Sequence, residues 1–160
     1  MDVSVRFGDN NHEQIKDLLK NNTPQNTIRT KRSVWTQFEQ FCKVRNYQLN
    51  DNTSIQEIAK VLEDWGMNMK KMNGEDYKEY SVKTIWNVTA KMIQEKYFSE
   101  FKISFNPFID IEFKKARDVR NAKRKELQSR PEKRKQSAIA LDEKEYSKKC
   151  YYTDCIKHDY

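Results

Sequence analysis

The sequence predicts an all-α domain, a small bundle of four to five helices ending in a basic helix and linker. Three observations carry that prediction. Only 3 Gly and 3 Pro occur in 160 residues, too few for the turns of a β architecture. Apolar residues recur at three- and four-residue steps along most of the chain, the spacing of one helical face. No segment of useful length alternates apolar and polar residues as a strand does. At 36% hydrophobic and 12% aromatic the chain has material for one ordinary core.

The elements follow in order. His12 to Lys20 places Ile15, Leu18 and Leu19 at helical spacing, which predicts a first short helix after a polar start. Thr23-Pro24 is a start signal, a hydroxyl that can cap beside a proline whose missing N–H costs nothing in a first turn. The helix it opens, from about Thr23 to Val44, carries Ile28, Trp35, Phe38 and Cys42 on its seam, with Val34 and Phe41 widening the stripe. Arg29, Lys31, Arg32 and Lys43 fall off that seam.

Ser54-Ile-Gln-Glu57 is a capping box, with a hydroxyl and a carboxylate each satisfying a free backbone donor. Its helix aligns Ile55, Ile58, Leu62, Trp65 and Met69, and Asn73-Gly74 is the expected stop. A polar loop follows, and Ser81 is the expected cap of the next helix. There Val82, Ile85, Trp86, Val88, Thr89, Met92, Ile93 and Tyr97 make the broadest apolar face of the chain, so this helix is expected at the centre. Lys83, Asn87 and Lys91 form a four-residue row on it. Asn106-Pro107 breaks the pattern before a last helix, Phe108 to Gln128, whose apolar stripe thins after Val119. Its C-terminal half is expected to leave the core. Trp35, Phe38, Trp65, Ile85 and Met92 are expected in one core, which makes the tryptophans packing residues rather than base-stacking platforms.

Charge is concentrated in that last helix and beyond. From Lys114 to Lys135 there are eleven Lys/Arg against three acids, while the remaining twenty bases face twenty-one acids. A local positive excess of this size suits a polyanion partner. Lys115, Arg120, Lys123 and Arg124 on this helix join Arg29, Lys31, Arg32, Lys83, Asn87 and Lys91 as candidate DNA-binding residues, with Asn87 the one side chain among them carrying the donor–acceptor pair that adenine requires. Lys123-Arg-Lys and Lys133-Arg-Lys also read as a bipartite nuclear signal.

Enzymatic signatures are missing: no phosphate-binding glycine loop, no GxSxG turn, no HExxH and no carboxylate dyad. Cys150, Cys155 and His158, with Asp154 or Asp159, lack a second close ligand pair, so neither metal nor cofactor is expected. The odd, scattered cysteines at 42, 150 and 155 fit a reducing compartment. The N-terminus carries no signal peptide and no apolar run approaches the ~18 residues of a membrane span. The glycosylation patterns at Asn21, Asn52 and Asn87 are then chance matches.

Four segments, TIRTKRSVWTQFEQFCKVRN from Thr27, NGEDYKEYSVKTIW from Asn73, FKKARDVRNAKRKELQ from Phe113 and SAIALDEKEY from Ser137, together resemble the N-terminal core-binding domain of tyrosine recombinases. The likeness is to the Crypton DNA transposons and their domesticated relatives among the MYM-type zinc-finger proteins. It implies a SAM-like bundle clamping one side of double-stranded DNA in the nucleus, with homo-oligomers formed on the DNA. It also implies a division into an N-terminal tail with a short helix (1–22), a core-binding domain (23–128), a basic linker (129–141) and the start of a catalytic-type domain (142–160). The Arg, Lys, His and nucleophilic Tyr of the family belong to that separate domain. Tyr160 has no such residues around it and receives no catalytic role, so the expectation is a non-enzymatic, DNA-binding half of a recombination or integration protein. The rivals are a nuclear protein-interaction module without DNA contact and a fragment of an active recombinase.

Overall fold

The computed structural model describes residues 7–134; the expected start of a catalytic-type domain at 142–160, together with Lys135, Cys150, Cys155, His158 and Tyr160, lies outside them. The described chain is an all-α bundle of α1 (His12–Asn21), α2 (Gln25–Arg45), α3 (Ile55–Asn68), α4 (Glu79–Phe101) and α5 (Lys114–Ser129), with a 3-10 turn at Ile111–Phe113 before α5. The only extended pairing among the described residues is an isolated antiparallel bridge between Lys70 and Asp76. No described helix is long and apolar enough to cross a membrane.

The Ser54 capping box forms as its residue types dictate, Ser54 Oγ accepting from Glu57 N–H and the Glu57 carboxylate from Ser54 N–H. Other boundaries differ from expectation. Thr23 does not cap α2; its hydroxyl donates back to the Leu19 carbonyl and Pro24 stands at the N-cap without a side-chain bond. The third helix ends at Asn68, before Gly74, because Met69 turns extended (ψ 135°) and buries its side chain, 3% exposed. Gly74 instead makes the tip of the 70–76 turn at φ 84°, where glycine is favoured. Ser81 is likewise not a cap. α4 begins two residues earlier at Glu79, whose N–H donates to the Lys133 carbonyl at 3.1 Å, so a distant backbone oxygen does the work a local hydroxyl was expected to do.

α4 is the central element, burying Val82, Ile85, Trp86, Thr89, Ala90, Ile93 and Tyr97. Its buried polar groups are satisfied: Thr89 accepts from Trp65 Nε1 at 3.1 Å while donating to the Ile85 carbonyl, Trp86 Nε1 donates to the Leu62 carbonyl, and the Tyr97 hydroxyl donates to Asn50 O. One aromatic cluster joins α2 to α3 through Phe38, Phe41 and Trp65, with centroids 5.0 and 5.6 Å from Trp65. A second stacks Tyr97, Phe105 and Phe113 below α4. Of the five residues expected in one core, Phe38, Trp65 and Ile85 are buried, whereas Trp35 and Met92 are half-buried at its edge. Trp35 keeps its Nε1–H on the Glu39 carboxylate near the surface.

The largest departure concerns α5. Its C-terminal half does not leave the core: Leu127 is fully buried, as are Phe113 and Ala116 nearer the start, and α5 packs most extensively against α3 and α4. The following residues, expected as linker, fold back in a turn in which Arg130 bonds Asp76 and Lys133 Nζ donates to the Asp76 carbonyl at 2.8 Å.

Candidate nucleic-acid interface

The ten residues singled out in the sequence divide into three sets. Arg29 and Arg32 on α2 and Lys83 and Lys91 on α4 are exposed, and their side chains make no ion pair or hydrogen bond with any described residue. Lys31 and Lys115 are surface partners of acids on neighbouring helices, Glu95 at 3.9 Å and Glu63 at 3.1 Å. The third set, Asn87, Arg120, Lys123 and Arg124, is built into the packing between helices. Lys123, 11% exposed, lies between Asp76 at 3.9 Å and Glu126 at 2.8 Å. Arg124 places Nε 2.8 Å from the carboxylate of buried Glu79 and pairs with it through a second nitrogen. Four of the nine cations expected to face a partner thus meet an acid, Lys123 and Arg124 within the packing and Lys31 and Lys115 at the surface.

Two of the acids responsible, Asp76 and Glu79, come from the 75–80 stretch, which the sequence presents as a polar loop. Asp76 accepts charge from Lys70, Lys123 and Arg130. Burial pushes its carboxyl upward, but the Arg130 hydrogen bond and the surrounding cations outweigh that and hold it below the usual carboxylate range. Glu126 is held low chiefly by its hydrogen bond from Lys123.

Between α4 and α5 a different arrangement survives. Arg117, Arg120 and Arg124 follow at three- and four-residue steps down one side of α5. Arg120 lies over the indole of Trp86, 4.5 Å from its centroid, donating to Asn87 Oδ1 at 2.9 Å and to Asn121 Oδ1 at 3.1 and 3.2 Å. Arg117 donates to the carbonyls of Pro107 and Asp110, both at 2.9 Å. Neither guanidinium meets a carboxylate among the described residues. Burial, then the like charges of Arg124 and Arg117, lower the pKa of Arg120. Gly66 makes room for this stack, since a Cβ there would meet Trp86 at 3.2 Å and Arg120 at 3.5 Å. Lys83 and Lys91 stand one helical turn either side of Asn87, so the row read from the sequence runs along this seam. Arg29, Lys31 and Arg32 lie on α2, where Lys31 meets Glu95 of α4 and Lys96 of α4 lies over Trp35. Glu95, the partner of Lys31, stands one helical turn from Lys91 and lines the same shallow pocket.

Comparison with protein-family models, curated proteins and solved structures finds no match. The reading of the seam therefore rests on its own chemistry. Sequence reasoning passed over Arg117 and Asn121, although the spacing 117, 120, 124 puts the arginines on one helical face. The Trp86 stack and the Glu79 pairing join residues 34 and 45 positions apart and leave no local pattern.

Proposed function

We propose that this chain is a non-catalytic module that binds double-stranded DNA through the α4–α5 seam, a recombinase-derived core-binding domain acting in the nucleus and assembling as a homo-oligomer on the duplex. The observation that carries this reading is the run of cations lacking carboxylate partners, Arg117 and Arg120 on α5 beside Lys83 and Lys91 on α4. Such a row on two rigid helices matches the spaced negative charge of a phosphate backbone, and contacts of that kind fix a protein on DNA without themselves reading sequence. The test is duplex binding at two salt concentrations against a charge-matched control protein. Log affinity should fall linearly with log salt, with a slope corresponding to ~3–5 phosphate contacts. A slope no steeper than the control's excludes the reading.

A second reading, a protein-interaction module, is favoured by α1. Its apolar residues Leu18 and Leu19 are 69% and 66% exposed and no residue of the helix is buried. Such a stripe suits docking into an apolar groove. Loss of partner capture on Leu18→Asp with DNA binding intact would assign α1 that separate role.

A further inference from the structure

Arginine has five N–H donors and no acceptor. The carboxamides that bond Arg120 must therefore turn their oxygens toward it, which fixes the orientation of both Asn87 and Asn121. Their Nδ2 groups are turned away from the guanidinium, and neither finds an acceptor among the described residues. Arg120 itself uses three of its five N–H groups on these oxygens while the Trp86 ring supports one face. The uncommitted groups of the cluster are mainly donors, the two Nδ2 amides and the two remaining Arg120 N–H groups, on a base of packed aromatic and helix, with Lys83 and Lys91 one turn to either side.

We propose that Asn87, Arg120 and Asn121 form a preorganised phosphate seat on the α4–α5 seam, its natural ligand, on the DNA reading above, being a backbone phosphate. A phosphodiester is acceptor-only, so it complements the free N–H donors of the cluster oxygen for donor. Adenine does not. Its major-groove edge needs an amide oxygen to receive N6–H together with an amide nitrogen to give to N7. In Asn87 the oxygen already receives a charged N–H from Arg120 and is turned toward it, which leaves it a weaker acceptor for N6–H than a free amide, and the role read from its residue type alone is reassigned from base reading to phosphate holding. The seat positions the module without conferring a preference for A·T pairs.

The experiment is a titration of the protein with inorganic phosphate, followed by NMR of the side-chain amides and the three tryptophan indoles. The amides of Asn87 and Asn121 and the indole of Trp86 should shift together and saturate on the order of 1–10 mM, while the Trp65 indole stays in place. Asn87→Asp keeps an acceptor for Arg120 but replaces the free donor with a carboxylate oxygen. It should abolish the saturable shift, and lower duplex affinity about tenfold with a salt slope reduced by about one. Asn121→Ala, which adds no charge, should weaken the phosphate response several-fold and confirms the fold if the Trp65 indole is unmoved. Equal shifts with chloride at matched ionic strength, or no saturation with phosphate, overturn the seat and leave the DNA reading to the lysine substitutions below. Saturable phosphate binding without duplex binding upholds the seat and overturns DNA as its ligand in favour of a small phosphorylated molecule. A preference for A·T duplexes that disappears in Asn87→Asp overturns the assignment of Asn87.

Discussion

α1 and α5 invert each other. α1 has a clean apolar stripe and buries nothing, whereas α5 is crowded with charge and buries Ala116 and Leu127 while packing against two helices. The difference lies in what the rest of the chain supplies. No described element brings an apolar surface to Ile15, Leu18 and Leu19. α5 receives the carboxylates of Glu63, Asp76 and Glu79, and the indole of Trp86, so its cations pack as ion pairs and as a cation–π stack instead of projecting into solvent. Amphipathicity predicts that a helix forms, and complementarity decides whether it docks.

The sharpest way to break this comparison is to remove apolar volume from each helix. Leu127→Ala should cost about 2–5 kcal/mol of unfolding free energy, because a fully buried side chain leaves a cavity between α5 and its neighbours. Leu18→Ala should stay within about 0.5 kcal/mol. Denaturant titration of both variants checks the pair, and equal small effects would place α5 at the surface as its sequence suggests.

Glu79→Gln isolates the charge contribution. Arg124 would lose its carboxylate while still partly buried, a loss of about 1–3 kcal/mol, reduced from the value for a fully buried pair by the solvent that reaches Arg124. Reversal by adding Arg124→Met would show that the cost lies in the orphaned charge. A Glu79→Gln variant as stable as the parent would mean that the pair does not hold α4 to α5.

The smallest effect concerns pH. Asp76 has its pKa depressed in the folded state, so its pairing adds stability above the unfolded carboxylate value of about 3.9, and that addition is lost as pH falls through the lower folded value. Urea unfolding at neutral pH and near pH 2 should show a loss for the parent that is smaller in Asp76→Asn. Parallel losses would remove Asp76 from the account.

Much of the fold is legible in the sequence because helix periodicity and the Ser54 box are local. Where the reading fails, the deciding contact is distant. α4 starts at Glu79 and not at Ser81 because the Lys133 carbonyl caps it from fifty-four residues away. The 114–135 stretch looks like a free basic arm when its charges are counted alone, and Asp76 and Glu79, which neutralise part of it, sit in an unremarkable polar segment. For the candidate site, Lys83, Asn87 and Lys91 are recognisable by spacing. Arg120 is recognisable by charge, but its place over Trp86 and its grip on two amide oxygens appear only when α4 and α5 come together.

The central claim is that a folded seam, and not a charged tail, holds DNA. It is tested most directly by duplex titration of Lys83→Ala/Lys91→Ala beside a chain truncated after Arg134, which keeps the docked turn that caps α4. The double substitution should weaken binding by about 1–3 kcal/mol if both lysines bond phosphate, and the truncation, which removes five Lys together with five Asp/Glu, should leave affinity and footprint nearly unchanged. Undiminished binding by the double variant, with binding abolished by the truncation, would contradict the claim.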